Sequence, residues 1–177
     1  MSQVIIFIIF FTSVIFQTSF FPNITPFRFA PDIVLILIIF WSARSGFDTT
    51  WRWAVFFGLM LDVIYYQPIG INIITLSIVS FLSSSLAKRF LVTQTGLRFI
   101  ITASFVFAGT IGYQLLISFL INIKEGQNIF YSLYHLINEG ILLKIIYNLI
   151  LFAVLYVPLK KIEKIIAFYD MKAKFAR

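Results

Sequence analysis

The chain reads as a succession of long apolar runs separated by short polar breaks. Six runs predict helices, at about 4–21, 31–44, 50–66, 71–87, 97–122 and 138–157. They are continuous in Ile, Leu, Phe and Val rather than alternating, which predicts membrane helices and argues against an outer-membrane barrel. In the first run Ser13 and Gln17 stand four residues apart, on one face able to meet other helices. The second and third are short: roughly 15 residues rise about 22 Å against a hydrocarbon core of about 30 Å. That hairpin needs a thinned bilayer or longer helices around it, and it is expected at the centre of the bundle. Trp51 and Trp53 open its second arm at a membrane interface. The fourth run carries a smooth stripe of Ser77, Ser80 and Ser84. The fifth carries Ser104, Ala108 and Gly112, a small-residue row that lets another helix approach closely. Between the fifth and sixth, Phe130, Tyr131 and Tyr134 predict a segment lying at the interface. Pro158 is expected to close the sixth run. After it, residues 159–177 place Ile162, Ile165, Ile166 and Tyr169 at helical spacing beside Lys160, Lys161 and Lys164, a basic amphipathic tail for the inner leaflet.

Composition adds that no water-soluble core is involved. Of 177 residues, 60% are hydrophobic and 12% charged, where soluble domains have about half and about a quarter. The expected fold class is an all-α integral membrane bundle of six helices, residues 1–158, followed by the tail. The first run lacks a basic leader and a small-residue cleavage site, so it reads as a retained helix rather than a signal peptide. The net charge of +7 sits at helix ends, which points to topology and anionic lipid rather than nucleic acid. With the N-terminus inside, Arg44, Arg52, Lys88, Arg89, Arg98 and the six basic residues from Lys160 onward are cytoplasmic. Only Arg28 and Lys124 then lie in outer loops. The bias predicts both termini inside the cell.

Candidate chemistry is confined to charges within the apolar runs, which are costly in lipid and need a partner or water. There are four: Asp32, Asp62, Glu139 and Lys144. Pro31 suits a first helical position, and Asp32 in the first turn lies near the positive end of the helix dipole. Asp62 and Lys144 fall at similar depth in the outer half. They are expected either to pair, or to share a polar pocket with Asn148, Gln17 and Gln114. Alternatively, Lys144 reaches the outer surface while Asp62 is held by turn backbone or Asn72. No cysteine is present and the one histidine, His135, is isolated, so no metal site, cofactor or enzymatic constellation is expected. Asp32 and Asp62 as an acid–base pair carry little weight.

Order and spacing across the opening hairpin carry a resemblance. Ala30-Pro31-Asp32 is followed by Gly58-Leu59-Met60-Leu61-Asp62, then Pro68-Ile69-Gly70-Ile71-Asn72. This succession resembles the rod shape-determining protein MreD family, in which a proline–aspartate start, a G-L-x-x-D pattern and an x-G-x-N turn recur in this order. It is rich over about residues 28–90 and architectural beyond. The resemblance implies a non-catalytic bacterial inner-membrane subunit of the cell-wall elongation machinery. It implies a single-span MreC-like partner, and through it a RodA-type glycosyltransferase, a penicillin-binding transpeptidase and actin-like MreB. It also implies a fold similar to the S-components of ECF vitamin transporters. On that reading Pro31, Asp32, Gly58, Asp62, Pro68, Gly70 and Asn72 are partner-binding or structural. The partner's helix is expected in a groove lined by the second, third and fourth helices. The alternative is an S-component-like binder of a small vitamin or lipid-like substrate for a transporter.

Overall fold

The computed structural model describes residues 2–24, 30–90, 97–125 and 140–175. They form six helices and, among the described residues, no strand. Helix α1 is Ser2–Ile15, extended by a π-helical turn Phe16–Phe20 and a last turn Phe21–Ile24. Then follow α2 (Ile33–Ser45), α3 (Phe47–Ile64), α4 (Ile71–Phe90), α5 (Leu97–Glu125) and α6 (Ile141–Phe175). Among the described residues, four stretches are long and apolar enough to cross a membrane: Gln3–Ile24, Ile71–Phe90, Leu97–Ile123 and Ile141–Tyr169. Arg28, Phe130, Tyr131, Tyr134, His135 and Glu139 lie outside the described residues.

Helix α2 is the centre. Every residue from Ile33 to Ser42 is buried, and α2 touches each of the other five helices. The cause is plain in its sequence, IVLILIIFW, which is apolar on all sides; such a helix is stable only when surrounded. Its 13 residues rise only about 20 Å. It stops at Gly46, whose φ of +86° turns the chain directly into α3.

Helix α3 is not a second centre but a wall. Thr50, Ala54, Phe57, Gly58, Leu61 and Asp62 are buried along one stripe, while Trp51, Phe56, Leu59 and Val63 face outward. Trp53 is half-buried and packs on α1. Its ring stacks on Phe10 at 6.1 Å, and Phe10 stacks on Phe57 at 5.0 Å, which ties α1 to α3. The hairpin of α3 and α4 closes at Gly58, where an added Cβ would stand 2.8 Å from the backbone of Ile73. Gly58 therefore serves packing within the chain. Gly58→Leu should destabilise the bundle by about 1–3 kcal/mol or prevent assembly; an unfolding midpoint equal to that of the parent protein would refute this.

Two further differences from expectation concern α5 and α6. The close approach of α5 to α2 is made at Gly109, where a Cβ would stand 2.5 Å from the Ile39 side chain. Ser104 and Ala108 are exposed, and Gly112 is half-buried with open space beside it. Helix α6 runs through Pro158 without stopping. Leu159 is buried, Ile162 and Ile166 pack on the core, and Glu163 pairs with Arg44. These contacts anchor the turn after the proline and offset the hydrogen bond its ring removes. Lys160, Lys164 and Ile165 remain exposed on the other side, and Lys161 with them.

Candidate functional site

Short helices inside a bundle leave backbone N–H groups stranded, because the first four of any helix have no partner within it. In an apolar surrounding each stranded group costs several kcal/mol. This chain answers with side chains from other elements, and the polar residues of its motifs are the means.

At the start of α2, the Asp32 N–H donates to Asn148 Oδ1 at 2.8 Å and the Val34 N–H to Gln17 Oε1 at 3.0 Å. Gln17 spends its amide nitrogen on the Tyr65 hydroxyl at 3.2 Å, and Asn148 donates to Thr110 Oγ1 at 3.0 Å. At the start of α3, the Phe47 N–H donates to Ser84 Oγ at 3.0 Å. At the start of α4, the carboxylate of Asp62 accepts the N–H of Gly70 at 2.8 Å and that of Asn72 at 2.9 Å. An acid at a helix N-terminus also meets the positive end of the helix dipole, which stabilises its charge.

The order Gly58, Asp62, Gly70, Asn72 is thereby explained as one device. Gly58 and Asp62 are one turn apart on the buried stripe of α3, so the close approach at Gly58 brings the Asp62 carboxylate over the end of α4. Gly70 has φ of +109°, a conformation that side chains rarely adopt, and presents its N–H to Asp62. Pro68 sits in the turn, its carbonyl accepting the Ile71 N–H at 3.3 Å. Asn72 Nδ2 donates once to Asp62 at 2.9 Å and once to Gln67 at 2.8 Å, and Asn72 Oδ1 accepts from the Tyr113 hydroxyl. Every hydrogen-bonding group of the Asn72 side chain is used. Asp62, fully buried, has three donors and no cation among its described partners. The φ of Gly70 predicts that Gly70→Ala costs about 1 kcal/mol or more through backbone strain alone, measurable as a lowered unfolding midpoint; an unchanged midpoint would show that the turn relaxes.

The ion pair expected between Asp62 and Lys144 is replaced by another. Lys144 Nζ lies 2.9 Å from Asp32 Oδ2, with the two side chains only 17% and 10% exposed. Gln114 Nε2 approaches the same oxygen at 3.4 Å. The residues expected around Asp62, namely Gln17, Gln114 and Asn148, do gather, but around Asp32 and the start of α2. The reason is register on α6. Lys144 and Asn148 are one turn apart on one face, so the helix that brings Asn148 to the Asp32 N–H brings Lys144 to its carboxylate. Asp32 ends as the residue preceding α2, with Pro31 before it, and its side chain makes no cap of its own. Tyr113, Thr110 and the Ser84 cap lacked a sequence signal beyond being polar in apolar runs.

The opposite end of the bundle holds a second polar group. Arg44, in the last turn of α2, is held by Glu163 of α6. It lies over the Phe40 ring at 4.4 Å and reaches the Tyr156 hydroxyl at 3.4 Å.

These two ends frame a helical protein whose polar motif residues form a set of internal caps, and comparison with known families bears on what such a protein is. The family model described as rod shape-determining protein MreD matches residues 1–165. The chain belongs to the MreD family. It is accordingly a multi-pass membrane protein of the bacterial cell-shape machinery. Comparisons with curated proteins and with solved structures each found no match. The match ends at residue 165, within α6, and includes the Asp32–Lys144 pair as well as the α3–α4 hairpin.

Proposed function

We propose that this MreD-family chain is a non-catalytic scaffold of the cell-wall elongation machinery, holding the membrane helix of a single-span MreC-like partner. On this reading both termini are cytoplasmic and the helices are arranged as in an S-component. The partner couples the chain to a RodA-type glycosyltransferase, a penicillin-binding transpeptidase and MreB. The observation that carries the proposal is an apolar groove between α4 and α5, lined by Val79, Leu82, Ser83, Leu86, Ala108 and Gly112 among others. A Cβ at Gly112 would meet nothing within 4 Å, so no helix among the described residues fills the gap there. Small residues beside open space allow a foreign helix close backbone approach. Helix α2 is buried from Ile33 to Ser42 and offers no groove face along that length, so the proposed partner helix lies on α4 and α5 rather than on α2, α3 and α4. The motif polar groups are engaged with one another, which favours a rigid scaffold over the transporter-like binding of a small molecule.

Co-purification with a single-span MreC-like protein tests the reading. The Cβ of Gly112→Leu meets none of the described atoms, so the side chain can project into the groove. It should leave the unfolding midpoint unchanged and lower partner retention about tenfold, the loss expected for about 1.4 kcal/mol of contact. Full retention by Gly112→Leu would remove the groove from consideration; no retention by the parent protein would remove the partner. Lys160, Lys161 and Lys164 are assigned to the inner-leaflet surface, where each basic residue strengthens attraction to anionic lipid.

A further inference from the structure

A half-open cavity of about 190 Å³ lies where the end of α2, the start of α5 and the part of α6 beyond Pro158 converge. Its lining is Ala43, Arg44, Arg98 and Glu163. The volume admits about six waters at about 30 Å³ each, enough for a phosphate group with some of its hydration. Two guanidiniums and one carboxylate give the lining a net charge of one positive unit.

We propose that this cavity binds the phosphodiester headgroup of an anionic phospholipid. Three features select that ligand. First, guanidinium forks match phosphate oxygens geometrically and pair with them in bidentate fashion. Arg44 is already oriented: its planar group is held by Glu163 and Tyr156 and stacked on Phe40, which leaves further N–H donors for a second acceptor. Arg98 is exposed and has no carboxylate within ion-pair distance among the described residues. Second, a diester carries one negative charge and so balances the lining, where a doubly charged monoester would be repelled in part by Glu163. Third, the site lies at the end of α2 and the start of α5, a level at which lipid headgroups are expected. Leu97 and Ile100 on α5, and Val154 and Val157 on α6, are exposed apolar neighbours in sequence of the lining residues and of Pro158. They offer acyl chains a surface beside the headgroup, which a soluble anion does not need. The site differs from the exposed lysines of the tail in being a cavity with a fixed arginine, so binding there is expected to saturate at low stoichiometry. It does not depend on the proposed partner.

The test uses the purified full chain in detergent, titrated with phosphatidylglycerol and, separately, phosphatidylcholine, with bound lipid read by native mass spectrometry. Phosphatidylglycerol should be retained about fivefold more tightly, as expected for one basic group acting near a lipid surface. Arg98→Gln should abolish the preference with the unfolding midpoint unchanged. Replacing Lys160, Lys161 and Lys164 together by Gln should leave it intact. A preference that survives Arg98→Gln, or that disappears with the three lysines, overturns the proposal in favour of a diffuse basic surface. Displacement of the lipid by millimolar inorganic phosphate would identify a free anion as the ligand and overturn the lipid assignment. Should Arg98→Gln fail to fold, Glu163→Gln decides: removal of the competing carboxylate should tighten phosphatidylglycerol binding, and unchanged or weaker binding overturns the proposal.

Discussion

Replacing Lys144 by Met should cost the bundle about 3–5 kcal/mol, because it leaves the Asp32 carboxylate buried without its cation. Asp32→Lys and Lys144→Asp should each be at least as damaging, and the double exchange should recover a large part of the loss. The recovery is expected because the two groups are 2.9 Å apart and largely shielded from solvent, where coupling between partners is strong. Exchange of Asp62 with Lys144 should recover nothing. That contrast separates the pair now seen from the one that equal depth in the sequence had favoured. Denaturant unfolding of the purified variants in micelles reads both. If the Asp62–Lys144 exchange rescues and the Asp32–Lys144 exchange does not, the ion pair has been assigned to the wrong acid. The loss is limited by the bond from the backbone N–H of residue 32 to Asn148, which does not depend on the side chain at that position.

Asp62→Ala should be comparably severe. It strands the N–H groups of Gly70, partly buried, and of Asn72, buried, and one amide hydrogen of Asn72, around the start of α4. At about 1–3 kcal/mol for each unsatisfied group, and allowing for incomplete additivity, the loss is about 3–6 kcal/mol. Asp62→Asn is the sharper comparison. Its remaining oxygen can still accept from Asn72, but its amide nitrogen must face another N–H, so about half of the loss should persist. Asn72→Ala should fall between them, since it removes the bridge to Gln67 and Tyr113 while the Asn72 N–H keeps its bond to Asp62. Thermal unfolding monitored by helical signal ranks the three. An Asp62→Asn variant as stable as the parent would mean that charge and acceptor geometry at the end of α4 do not matter, and the capping account would fall.

Both predictions bear on what the MreD-family motif is for. Its residues were open to two readings, contact with a partner or construction of the fold. In this chain Asp62, Gly70 and Asn72 are engaged with one another, and Gly58 with Ile73. A motif of this kind fixes the geometry of the turn that joins α3 to α4. On the proposed function, recognition falls to surfaces that carry no motif, such as the groove beside Gly112.

Much of the fold was legible because apolar runs of membrane length have few alternatives: backbone groups in lipid must bond within a helix. The six runs, the short second helix and its apolar circumference followed from the residues alone. So did the expectation that Gln17, Asp32, Asp62, Gln114, Lys144 and Asn148 would find polar company. Tertiary structure decided which company. Depth along a helix can be counted from sequence, but the direction a side chain takes around the axis relative to a neighbour depends on crossing angle and register. Those are set by close contacts such as Gly58 against Ile73 and Gly109 against Ile39. They place Asp62 over the start of α4 and turn Lys144 to Asp32. They also carry α6 through Pro158, where a local rule would have ended it, since Leu159 and Glu163 find partners beyond the proline. Sequence by itself determined that the buried charges and helix ends had to be satisfied; packing alone determined by which residue, because only packing fixes distance.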